Sequence, residues 1–247
     1  MELKPHIYTI GETTYDIQFR NGEPAGGCGG GSAFNSAISL GRCRLPVSLI
    51  TTIGSDKIGD IAFKMLQDNG VNCSHVTRFG GNSRLALAFF ENDQEPEYSF
   101  YAATQEVVPD YPEPQKDDII LLGSSFALRD KGRNELLNYL VKARNTGCCV
   151  IYDPNARRHL AEEPGFISKI EENISLATIV KGSDKDFRLI FNEMEGKGAF
   201  ERVWKLGANQ LFYTEGAGGA EMFTPDLHLK AEAKKIEVVS TIGAGDN

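Results

Sequence analysis

The strongest constraint on this chain is an alternation. Short apolar runs of strand length recur between segments of helical periodicity. Ile7 to Ile10 reads as a first strand ending at Gly11. Ser32 to Cys43 reads as a helix, with Ala33, Ala37, Ile38 and Leu40 on one face. Val47 to Ile53 reads as a second strand, and Ile58 to Asn69 as a helix closed by Gly70. Ile119 to Leu122, Cys149 to Tyr152, Thr178 to Val180 and Gln210 to Tyr213 continue the strands, with room for helices between most of them. Strands joined through helices run parallel, so the pattern predicts an α/β fold: a mainly parallel sheet with helices on both faces.

Two stretches break the alternation. Tyr15 to Arg20 and Leu85 to Tyr101 alternate or run apolar with no helix between, and the second reads as a hairpin. They predict a small antiparallel sheet projecting from the core, suited to a lid or a dimer surface. Val107 to Asp118, rich in Pro and Asp, reads as the return loop. The chain is taken as a single α/β domain over 1–247, with lid segments 15–25 and 84–104 inside it.

Composition narrows the function. A net charge of -8 argues against non-specific binding to nucleic acid or to an anionic membrane. A small anionic ligand remains compatible with it. The five cysteines are odd in number and form no C-x-x-C pair, which reads as reduced thiols in a cytosolic protein. The four histidines lack the spacing of a zinc site. Met-Glu-Leu-Lys-Pro lacks the apolar stretch of a signal peptide, and no apolar run approaches membrane-spanning length. The expected address is the cytoplasm.

Five segments could carry chemistry. Gly26 to Gly31 holds five glycines in six residues and leads into a helix, where backbone amides can meet a polar ligand. Its spacing fits neither the dinucleotide fingerprint nor a nucleotide P-loop, and a flexible loop is the plain alternative. Gly243-Ala244-Gly245-Asp246 follows a strand expected over Ile236 to Val239. Small residues before an acid expose amides that can hold a phosphate, and the acid can accept a proton. Asp153-Pro154-Asn155-Ala156-Arg157, Lys181 to Asp186, and Thr214 to Gly219 each follow a strand, where α/β ligands bind. A turn, a helix cap at Ser183 or Asp184, and a β-turn are their structural alternatives.

Taken in order, these segments resemble the ribokinase (PfkB) family of carbohydrate kinases. Gly30-Gly31-Ser32-Ala33-Phe34-Asn35-Ser36-Ala37 resembles that family's Gly-Gly-x-x-x-Asn-x-Ala signature. Gly54-Ser55-Asp56-Lys57-Ile58-Gly59 resembles its Gly-x-Asp-x-x-Gly element, and Gly11-Glu12 with Asp16 its opening strand. Asp153 to Arg157 resembles Asp-x-Asn-x-Arg, and Thr214 to Gly219 resembles Thr-x-Gly-x-x-Gly. Gly243 to Asp246 matches the core of the second signature.

The resemblance implies a ribokinase-like fold and ATP-dependent phosphorylation of a sugar. Asp246 would be the general base, and Gly243, Ala244 and Gly245 the anion hole. Asp16, Gly30, Gly31 and Asn35 would bind the sugar, with Arg157 a further substrate contact. Ser183, Asp186, Thr214, Gly216 and Gly219 would lie on the nucleotide side. Mg2+ would accompany ATP, with no side chain assigned as its direct ligand. Many relatives also use a monovalent cation, but Ser240 stands where the family usually has Asp. Ser183 and Asp186 replace a usual Asn and Glu, and Ala102 stands where many fructose kinases carry Arg. Relatives continue past this motif, so the fold is expected to lack its C-terminal part, including the helix that Gly243 to Asp246 should open. A homodimer through the lid is expected from Phe89, Phe90, Phe100 and Tyr101. A nucleoside kinase of the same fold and an inactive ligand-binding fragment are the alternatives.

Overall fold

A computed structural model of the protein describes residues 5–91, 97–193, 195–235 and 245–246. The chain divides into two units. One comprises His6–Pro112 with Ile242–Asn247, and the other Glu113–Thr241 with Met1–Pro5.

In chain order the first unit holds β1 (Ile7–Ile10), β2 (Thr14–Arg20), β3 (Glu23–Gly30) and α1 (Ser32–Arg42). Then come β4 (Val47–Gly54), α2 (Lys57–Asp68), β5 (Val76–Phe79), β6 (Arg84–Phe90) and β7 (Glu97–Tyr101). Strands β1, β4 and β5 pair in parallel. All eight residues of β4 are buried, as its continuous apolar and β-branched run requires. Phe34, Ala37, Leu49, Ile53, Ala62 and Leu66 join α1, β4 and α2 in one buried cluster.

The remaining four strands form the separate small sheet expected from the two irregular stretches, in the order β3-β2-β6-β7. The β2–β3 and β6–β7 pairs are antiparallel, and β2 and β6 run side by side in parallel. In this sheet, sequence reading missed β3. Most of the glycine run is a strand, not a loop. Missing side chains are what let it pack: a Cβ on Gly27 would sit 2.6 Å from Tyr15, and one on Gly29 would sit 2.4 Å from the Phe34 ring.

The second unit holds β8 (Ile119–Gly123), α3 (Arg133–Thr146), β9 (Cys149–Asp153), α4 (Phe166–Leu176) and β10 (Ile179–Ser183). It continues with α5 (Asp184–Phe191), α6 (Gly196–Lys205), β11 (Gln210–Thr214), β12 (Ala220–Phe223) and β13 (His228–Ala231). Strands β8 to β11 are parallel, and β12 and β13 add antiparallel at the β11 edge. Ile120, Leu140, Val150, Ile170, Val180 and Leu211 are fully buried. Arg133 stitches α3 to α4, donating to Ala127 O, Asn173 Oδ1, Lys169 O and Glu172 Oε2. The stretch from Val107 to Asp118 carries neither helix nor strand. The strand expected over Ile236 to Val239 lies outside the described residues. Among the described residues no helix is long and apolar enough to cross a membrane.

Candidate active site

Asp16 sits in the middle of β2, on the face that meets β3 at Cys28 and β6 at Ala86. Its carboxyl lies over Gly30, where a Cβ would be only 2.5 Å from Oδ1. Any larger residue at position 30 would displace the acid. Burial raises the Asp16 pKa above the usual carboxylate value, and the Thr14 hydroxyl, donating to Oδ1 at 2.9 Å, opposes this. The Cys28 thiol is pushed up by burial and by the Asp16 charge, against a hydrogen bond with Gln18.

Gly31 is the one residue between β3 and α1. Its φ is 102°, and a Cβ there would lie 2.3 Å from Glu12 O. Both facts require glycine. The chain then enters α1, whose first turn holds no acidic side chain. Asn35 in that turn donates from Nδ2 to Asp246 Oδ2 at 2.9 Å. Ser36, next to it, donates from Oγ to the Asp246 backbone carbonyl at 2.7 Å. The carboxylate of Asp246 is therefore held at the positive end of a helix. Gly245 is exposed beside it. Gly243 and Ala244 lie outside the described residues.

The Gly-x-Asp-x-x-Gly element proves to be a junction. Asp56 caps α2 by accepting from Gly59 N at 2.9 Å. It also accepts from Ser83 N at 2.9 Å and Ser83 Oγ at 2.6 Å. Burial works against its charge, but the bonds from Ser83 and Gly59 outweigh it and hold its pKa below the usual value. The two glycines make room: a Cβ on Gly54 would strike Gly81 O and Ser83 N, and one on Gly59 would strike Gly54 O.

In the second unit, Asp153 ends β9 and is buried. Lys181 Nζ meets its Oδ2 at 2.5 Å, and Asn155 N donates to its Oδ1 at 3.1 Å. The Arg157 side chain is exposed. Ser183 and Asp186 form a capping box at the start of α5. Asp186 further accepts from Ala156 N at 2.7 Å, which anchors the loop after β9. Thr214 ends β11, where its hydroxyl faces Gly182 O at 3.5 Å. Gly216, at φ 56°, has open space about its Cα. Gly219, at φ 101°, approaches Ala231 O so closely that a Cβ would lie 2.1 Å away. A hollow of about 600 Å3 lined by Phe166, Ile167, Arg188 and Arg202 contains none of these residues.

The structure thus brings Asn35 onto Asp246 and Asp16 onto Gly30, with Gly31 linking the two pairs. Sequence reading missed Ser36 and Ser83. Neither has a pattern signal, because each is defined by a partner distant in the chain.

The chain is similar to known kinases in sequence and in fold. A fructokinase of Rhizobium leguminosarum bv. trifolii is 29% identical over 223 residues, which cover 88% of this chain and 68% of the relative. Across eight curated fructokinases that it matches, the chain spans 59–70% of their length. In fold it is similar to aminoimidazole riboside kinase from Salmonella enterica, solved with aminoimidazole riboside and an ATP analog. The TM-score is 0.86 at 23% identity, covering 98% of this chain and 81% of that one. A fructokinase from Xylella fastidiosa with bound ATP gives 0.83 at 24% identity, covering 99% and 79%. The fold is therefore ribokinase-like. Residues 6–247 match the pfkB family of carbohydrate kinases, and the chain belongs to that family.

Proposed function

We propose that this protein is an ATP-dependent sugar kinase that transfers the γ-phosphoryl group to a hydroxyl, by preference a primary one. The observation that carries the reading is the Asn35–Asp246 bond beside the Asp16–Gly30 contact. It couples a candidate base to a candidate sugar ligand through one glycine. In this reading Asp16 holds sugar hydroxyls against the lid, while Gly30 and Gly31 allow close approach. Asn35 fixes Asp246 through Oδ2, and Oδ1 takes the proton of the attacking hydroxyl. The hydroxyl oxygen bonds to the γ-phosphorus as the bond to ADP breaks. Gly245, with Gly243 and Ala244, would hold the phosphoryl oxygens through backbone amides.

Thr214, Gly216 and Gly219 are assigned to the nucleotide, on the open space about Gly216. Ser183 and Asp186 would shape that side through their capping box. Mg2+ would come with ATP and neutralise phosphate charge. Asp186 does not suit it as an open ligand, since Ser183 and Ala156 occupy its oxygens. Arg157, exposed at the end of its loop, is assigned to an outer group of the substrate. Five free thiols suit a reducing cytoplasm.

The substrate could instead be a riboside. Tyr98 and Phe100 stack at 5.7 Å on the Asp16 face of the lid and are exposed, which suits a planar base. A coupled ATP assay over free sugars and nucleosides decides between them. In the same assay Asp246→Asn should lower kcat by roughly two to four orders of magnitude. Sugar affinity should change far less, because Asp16 remains. Preserved turnover in that variant would remove Asp246 as the base.

A further inference from the structure

We propose that Asp56 is a positioning residue for the sugar site: it latches the root of β6 at Ser83 and so fixes the sheet that carries Asp16. The link to sugar rests on the reading of Asp16 given above, whereas the latch itself is geometric.

Asp56 divides its carboxylate between two tasks. Oδ1 accepts from Gly59 N at the start of α2 and from the Ser83 hydroxyl, and Oδ2 accepts from Ser83 N. Ser83 is buried and directly precedes Arg84, the first residue of β6. From there β6 runs in parallel register with β2, placing Arg84 opposite Thr14 and Ala86 opposite Asp16. Ala86 lies three residues beyond the latch, roughly 10 Å along the strand. The segment leaving β7 is clipped to the same root: Asn82 N donates to Thr104 Oγ1 at 2.9 Å, and Thr104 N to Asn82 O at 3.3 Å. Asp56 ties this clip to the buried end of β4. Nothing in this role involves contact with the substrate.

The chemistry separates the two tasks. Asn caps a helix about as well as Asp, so Asp56→Asn can keep the bond from Gly59. Its amide would then face the Ser83 N–H donor to donor. Charge-assisted bonds are also roughly twice as strong as neutral ones. Asp56→Asn therefore opens the latch and spares the cap. Ser83→Ala removes the hydroxyl from the other side.

The test uses the intact protein, with hydrogen exchange and steady-state kinetics side by side. In Asp56→Asn, amides of Arg84 to Phe90 should exchange about tenfold faster or more, while those of α2 stay near wild type. Ser83→Ala should act in the same direction, and the double variant should add little to either single one. With fructose as the probe sugar, KM should rise about tenfold at nearly unchanged kcat. Ala62→Gly is the structural control, since it weakens α2 without touching Ser83. It should lower Tm and leave KM alone. Unchanged exchange in β6 in both latch variants would overturn the proposal. So would a KM rise no larger than that of Ala62→Gly at equal loss of Tm. If wild type phosphorylates no sugar or nucleoside, the kinase reading falls and the exchange result alone decides the latch.

Discussion

At Asp16 stability and the proposed sugar contact pull in opposite directions. Burial raises its pKa in the folded protein, and Thr14 only partly relieves the cost. A carboxyl with a raised folded pKa favours folding while it is neutral, below the ordinary value of about 3.9. That contribution is lost as pH rises through the folded pKa, so the ionised group works against folding at neutral pH. Asp16→Asn should therefore raise Tm by a few degrees at pH 7, and the gain should shrink toward acid pH. The same substitution should weaken sugar binding about ten- to a hundredfold. Thermal melts across pH and a sugar titration check both halves, and equal Tm values at pH 7 would refute the first. Asp16 was singled out through the resemblance of Gly11, Glu12 and Asp16 to the family's opening strand, and not by the pattern of its own strand. Ser36 was not, because its partner is 210 positions away.

Elements were legible where apolar periodicity was strong. Strands β1, β4, β8, β9 and β11 and helices α1 and α2 fall within a residue or so of their expected ends. Strands β3, β5, β12 and β13 were not legible. Strand β3 is mostly glycine, β13 is exposed throughout, and β5 and β12 have only four residues each. Each is defined by the neighbour it pairs with, not by its own composition. Strand β3 makes this testable. Gly29→Ala would drive a methyl group into the buried Phe34 ring, and such overpacking costs about 1–3 kcal/mol. Gly80→Ala meets open space at ordinary φ and should leave Tm unchanged. Equal melting of the two variants would show that β3 does not pack as described.

At the scale of the whole molecule, the lid sheet has two unlike faces. Asp16, Gln18, Ala86, Ala88, Tyr98 and Phe100 share one of them by register. Tyr15, Ile17, Phe19, Leu85, Leu87, Phe89 and Tyr101 share the other, and all seven are at least partly exposed. A contiguous apolar sheet face of this kind suits a partner, and the proposed partner is a second copy of the chain. Tyr101 is 55% exposed and lies on that face. Tyr101→Glu should convert a dimer into a monomer by light scattering, and a wild-type monomer at micromolar concentration would end the proposal. The sheet also has a mechanical consequence. Its strand β3 passes into α1 through Gly31 alone, and that residue is braced against the Glu12 carbonyl. A connection that short has no slack. In the proposed kinase, a tilt of the lid would reach the first turn of α1 as a rotation, and through the Asn35 bond it would turn the carboxylate of Asp246. The proposed cover and the proposed base would then be geared together, so that closing one would aim the other.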